Sequence, residues 1–454
     1  MMVQSAARFE ARNPGTLVAS TLIALLPGVW ADLSKVVAAN LARNGLRGVT
    51  KLVIAGALAP RGMGVLRSVY AIFKLLTAAV DLGLNHALLS LAPAATARGD
   101  AGQADRIVKS VFGLRIVTAA GFLVAGAFAA GPIARWVLGD PALTGWVLVA
   151  FAAASGQTIW KFVSGHLSAA QRFDRLALFL ITAPLLMLAA VSALAALGRL
   201  GLGAAIVVYL CAQTVAVALW WPWVDRSFLR AAWSAATVRR VARFGGWVYL
   251  SRLATTSRSQ LNPLLLKHPR LSGSLAAGET SAGLYAFGDE LADELTVLSE
   301  SLYMVLMPRA GAKTSPAALR GFVRRCYRNL AWLLVPLTIP LFLFRPFVTL
   351  LGRLHPVYLE YLPSANVFVV LYATGLLSLA MIPLRSALYA LERPRVDSYL
   401  ETAGVVLLIA GSIAVIPRYG YVGAALVALA VRVVVLVGLT AYGVPLLRRL
   451  GSAP

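Results

Sequence analysis

Acidic residues are scarce in this sequence. Asp and Glu number 18 among 454 residues, against 42 Lys and Arg, and the four charged types together make up 13% of the chain. A soluble domain is about one-quarter charged. With no long polar stretch to build a surface, a soluble multidomain enzyme is excluded. Cysteine is nearly absent: Cys211 and Cys326 lie on separate segments, which argues against a disulfide framework and gives no metal-ligand pair. The histidines, His86, His166, His268 and His355, are scattered, with no HExxH among them. GAKTS at residues 311–315 ends like a phosphate-binding loop but has Ala312 where that loop needs glycine. Catalytic signals are therefore poor.

Apolar residues make up 59% of the chain. They recur in runs of about 20, each long enough to cross a bilayer as a helix. The expected fold is an all-α polytopic membrane protein with twelve spans: Val36–Ala59, Val65–Leu91, Val111–Ala130, Leu143–Leu167, Leu176–Leu197, Leu202–Trp221, Trp247–Leu266, Gly283–Leu306, Leu330–Leu351, Ser364–Leu391, Leu400–Ile416 and Val422–Leu447. Alternate connections carry 23 and 7 Lys or Arg, and cytoplasmic loops are the basic ones. Both termini are thus expected inside. The net charge of +24 suits basic loops against anionic lipid rather than nucleic acid. Residues 16–31 (TLVASTLIALLPGVWA) are expected to form a short helix at the cytoplasmic interface, with a signal peptide or a further span as alternatives.

Two stretches resemble one another: PRGMGVLRSVYAIFKLLTAAVDLGL entering span 2 and ETSAGLYAFGDELADELTVLSESL entering span 8. PIARWVLGDP and PFVTLLGRLHP form a second pair, and the two offsets are 219 and 214 residues. The chain therefore reads as two six-helix lobes around a central cavity. Residues 1–35 precede them, 36–222 form the N-lobe, 223–246 a basic linker, 247–447 the C-lobe and 448–454 a tail. Parallel repeats of this kind build transporters, with the site between them.

Charges within spans mark that site, because each is costly in lipid. Arg43, Arg47 and Lys51 recur every four residues and share one helical face. Such a row suits an anion, and a diphosphate fits Arg and Lys chemistry. Lys74 and Arg115 are candidate helpers. Span 8 is the reverse case. Its Asp289, Asp293, Glu294 and Glu300 are candidates for proton or sodium coupling, while Arg252 and Arg258 of span 7 are expected as their charge partners. No metal site and no resident cofactor is expected.

LAPRGMGVLRSVYAIFKLLTAAVDLGLNHAL, PIARWVLGDP, SAAQRFDRLAL and SAGLYAF followed by LMPRAG resemble the polysaccharide, or O-antigen-type, flippases of the multidrug/oligosaccharidyl-lipid/polysaccharide (MOP) exporter superfamily. The resemblance implies alternating access in a bacterial inner membrane. It implies movement of an undecaprenyl-diphosphate-linked oligosaccharide to the outer leaflet. Its implied partners are the polyprenyl-diphosphate-linked glycan, membrane lipids, a polysaccharide polymerase and glycosyltransferases, with the chain itself a monomer. A cation-coupled drug antiporter of the same superfamily, a peptidoglycan-precursor flippase and a membrane glycan polymerase or ligase are the rival readings. An enzyme of that last kind is expected to carry a long outer loop, which this sequence lacks.

Overall fold

A computed structural model describes residues 14–97, 99–293, 316–391 and 394–450, together with residues 295, 298, 299, 302, 306 and 310. Among them the regular structure is helical. The first lobe holds α1 (Pro14–Asp81), α2 (Leu84–Ala97), α3 (Ala101–Pro132), α4 (Thr144–Ala169), α5 (Phe173–Ala196) and α6 (Leu202–Trp220). The second holds α7 (Ala235–Lys267), α8 (Leu275–Ala292), α9 (Pro316–Leu337), α10 (Ile339–Leu354), α11 (Ser364–Ala390) and α12 (Pro394–Leu450).

Two of these helices are folded back on themselves. Ala59 (φ 51°) breaks α1 and Gly420 (φ 55°) breaks α12, so each supplies two spans. Among the described residues, eight stretches are long and apolar enough to cross a membrane, and α1 and α12 each hold two spans within one such stretch. The expected spans outside that set are those of α7 and α8, the more polar pair.

Several boundaries differ from the sequence reading. The backbone is one unbroken helix from Pro14 to the break at Ala59, so residues 16–31 continue span 1 rather than forming a separate helix. Span 2 ends at Asp81. Leu82 (φ 46°) and Gly83 (φ 68°) turn the chain, and α2 restarts the helix. Hydropathy runs through this break because it senses apolarity and not φ. The joint between the lobes is also well packed. Phe228 is buried against Phe112, Phe162 and His166. Lys109 donates from Nζ to the carbonyls of Leu229 and Ala231 at 2.9 and 2.6 Å.

The lobes meet most closely where the repeated stretches cross. A Cβ at Gly64 would lie 1.8 Å from the Glu279 carbonyl oxygen, and one at Gly283 would lie 1.7 Å from the Pro60 carbonyl oxygen. The contact is reciprocal between positions 219 residues apart, as two parallel repeats meeting near their axis require. Tyr358 and Tyr361 reinforce this end. Their hydroxyls donate to the carbonyls of Leu52 and Ala55, at 2.9 and 3.1 Å. Ala55 lies in the last turn before the break, where helix carbonyls lack internal partners. Glu279 completes the closure, accepting from Arg61 at 2.7 Å and from the fully buried Lys267 at 3.0 Å.

Candidate functional site: a charged cavity between the lobes

A cavity of about 830 Å³ lies between the lobes, below that closed end. The break at Ala59 explains how α1 furnishes one wall. Lys51 and Arg67 are each eight residues from it and so come to the same depth. Asn44, Arg47 and Lys51 line the cavity from the first half of α1, and Arg67, Tyr70 and Lys74 from the second. Arg67, Lys74 and Asp81 recur every seven residues, a polar stripe like that of the first half.

The carboxylates of α8 reach across to this wall. Arg67 donates from Nη2 to Asp289 Oδ2 at 3.0 Å, and Lys51 Nζ lies 3.8 Å from Glu290 Oε2. The expected neutralisation of span 8 therefore comes from the first lobe for these two acids. Asp293 also lines the cavity. Glu294 and Glu300 lie outside the described residues, as do the side chains of Arg252 and Arg258. Tyr70 sits between two cations: the Arg67 guanidinium carbon and Lys74 Nζ are 5.4 and 5.2 Å from its ring centroid. Tyr209 packs on the same ring edge-on at 4.9 Å.

Arg47 and Lys74 differ from the other cations of the cavity. Among the described residues no carboxylate pairs with either one. Arg385 and Arg432, by contrast, are held in a balanced cluster. Arg385 pairs with Asp397 at 2.9 Å and with Glu401, and Arg432 pairs with Glu401 at 3.1 Å. Arg385 and Arg432 fall within the expected spans Ser364–Leu391 and Val422–Leu447, and Arg67, within Val65–Leu91, is a cavity residue that the sequence reading does not single out. The heptad spacing from Arg67 to Lys74 to Asp81 was the available signal.

Arg43 and Arg115 do not line the cavity. Arg43 is half-buried, toward the basic end of span 1. Arg115 is fully buried within the first lobe. It donates from Nη1 to the carbonyl and hydroxyl of Thr158, both at 2.8 Å, and from Nη2 to Asp81 at 3.2 Å. Lys161 approaches the same carboxylate at 3.6 Å. Asp81→Asn would leave two cations without their counter-charge in the lobe interior. A loss of about 3–5 kcal/mol in stability is expected, read by thermal unfolding in detergent, with Lys161→Met much milder.

Residues 53–353 match the family described as "Polysaccharide biosynthesis protein". The chain belongs to that family. No curated protein sequence matches it. Among solved structures it is similar to an inward-facing multidrug resistance MATE family transporter of the MOP superfamily, at a TM-score of 0.68 and 13% identity, covering 90% of this chain and 96% of that one. The lipid II flippase MurJ in its inward closed conformation gives 0.67 and 11%, covering 89% and 86%. A MOP superfamily transporter from Pyrococcus furiosus gives 0.56 and 12%, covering 93% and 96%. At such identities the likeness shows the fold, and that fold is two lobes of helices about a cavity. The chain thus has the fold that these transporters and the flippase share, and its apolar helices make it a multi-pass membrane protein.

Proposed function

We propose that this protein flips a polyprenyl-diphosphate-linked oligosaccharide from the cytoplasmic to the outer leaflet of a bacterial inner membrane by alternating access. The observation that carries this reading is the pair Arg47 and Lys74. They are two cavity cations with no carboxylate partner among the described residues, in a chain of the polysaccharide biosynthesis family. A diphosphate supplies the missing counter-charge. Arg matches phosphate oxygens in a fork and Lys as a point charge.

Lys51 lies one helical turn from Arg47, so a bound diphosphate competes with Glu290 for it, and with Asp289 for Arg67. Carboxylates released in this way become free to take a proton or a sodium ion. That exchange is the route by which an ion gradient would drive transport, with Asp293 as a further candidate. A cation-exporting antiporter is less well served, because Asp289, Glu290, Asp397 and Glu401 are each engaged by a Lys or Arg.

The reading is tested in proteoliposomes holding the purified protein and a fluorescent undecaprenyl-diphosphate-linked oligosaccharide, with quenching of one leaflet reporting movement. Transfer faster than in protein-free vesicles is expected. Equal rates would remove the proposal.

A further inference from the structure

The two walls of the cavity differ in the hydrogen bonds they can offer. The first lobe presents the charged donors Arg47 and Lys74, with Gln213 Oε1 as a buried acceptor beside them. On the second lobe three of the lining hydroxyls have already spent their protons. Thr374 Oγ1 donates to the Val370 carbonyl at 2.9 Å, Ser378 Oγ to the Thr374 carbonyl at 2.8 Å and Ser299 Oγ to the Leu295 carbonyl at 2.9 Å. A hydroxyl has one proton and a carbonyl can only accept, so what these side chains have left for a ligand is acceptor lone pairs.

Gln260 adds an independent sign. It is 7% exposed, lines the cavity and has a buried Oε1 with no partner. Its amide nitrogen donates to Ser259 at 2.9 Å, which fixes the oxygen as the unused end. A buried acceptor left unmade is costly and calls for a donor. Neighbouring Asn262 is no such case. It donates to Tyr285 and to the Ala424 carbonyl and accepts from Ser412. The cations of this wall, Arg385 and Arg432, are committed to Asp397 and Glu401.

We infer that the second-lobe wall around Gln260, Thr374 and Ser378 is a subsite for uncharged, hydroxyl-bearing sugars of the transported lipid. This deepens the flippase reading and rests on it. Phosphates and the carboxylates of uronic acids offer only acceptors at neutral pH, and an acceptor-rich wall repels those groups. The hydroxyls of a neutral sugar donate, and so complete Gln260 and the spent hydroxyls of α11. The substrate is thereby oriented, with its diphosphate on the first lobe and its sugar on the second.

The test measures binding to the full-length protein in nanodiscs. The probes are undecaprenyl diphosphate and the same lipid carrying N-acetylglucosamine. The native protein is expected to bind the sugar-bearing lipid about tenfold more tightly, the worth of one or two hydrogen bonds. The Gln260→Leu/Thr374→Val variant is expected to bind both probes alike, with affinity for the bare lipid unchanged. That unchanged affinity also reports correct folding. Should the pair fold poorly, Ser378→Ala alone is expected to remove about threefold of the preference. A native protein with no preference for the sugar, or variants that keep it, would overturn the subsite. Failure of the native protein to bind bare undecaprenyl diphosphate strikes instead at the diphosphate reading. The subsite is then judged by whether these variants weaken binding of the sugar-bearing lipid.

Discussion

The Arg47→Ala/Lys74→Ala protein is expected to transport a lipid-diphosphate-linked oligosaccharide at least about 100-fold more slowly than the native protein. Each hydrogen bond to a charged group contributes about 1.5–3 kcal/mol. Losing two is worth about 3–6 kcal/mol, and each 1.4 kcal/mol is a factor of ten. Stability should hold, because neither side chain neutralises a carboxylate among the described residues. Lys51→Ala makes the contrasting case. It strands Glu290, whose nearest cation is Lys51 at 3.8 Å, and should lower both transport and thermal stability. The paired measurement of transport rate and melting temperature separates the two behaviours. A double variant that transports normally would remove Arg47 and Lys74 from the site.

A side chain at the crossing of the lobes should have the second-largest effect. Any Cβ at Gly64 would sit 1.8 Å from the Glu279 carbonyl oxygen, and neither backbone can yield without separating the lobes. Gly64→Val is expected to cost about 1–3 kcal/mol by overpacking and to open the cavity at the end now closed. Ala55 reports that opening, because it is fully buried beneath Tyr361. In a protein lacking Cys211 and Cys326, a cysteine at position 55 should react slowly with a bulky maleimide. With Gly64→Val added, the reaction should be at least tenfold faster. Equal labelling rates with an unchanged melting temperature would show that the crossing does not hold the end closed.

The division into lobes was legible because spans of about 20 apolar residues and a displaced repeat survive in the sequence. The reciprocal contact of Gly64 and Gly283 is the physical form of that repeat. The row of cations on span 1 was legible for a similar reason: helical periodicity is local, and Arg47 and Lys51 do line the cavity. Pairing was not legible. Arg67 and Asp289 are 222 residues apart, and nothing in either span's pattern says which cation meets which acid. Depth misled in the other direction for Arg115. It shares the apolar setting of Lys74, but α3 turns it into the first lobe toward Asp81 and Thr158, away from the cavity. The break at Ala59 was legible, since the first expected span ends there; the break at Leu82–Gly83 escaped detection because the apolar run continues through it and Leu82 carries no turn chemistry. The acceptor wall of the second lobe was invisible for a subtler reason. Ser and Thr read alike in sequence whether their proton is free or spent on the preceding turn.

The most direct measurement is the affinity of the purified protein, in nanodiscs, for undecaprenyl diphosphate against undecaprenol. The native protein is predicted to prefer the diphosphate by at least about 100-fold, with a preference that falls as salt rises. The Arg47→Ala/Lys74→Ala protein is predicted to lose that preference. Equal affinity of the native protein for both lipids, or a preference that survives the double substitution, would contradict the account.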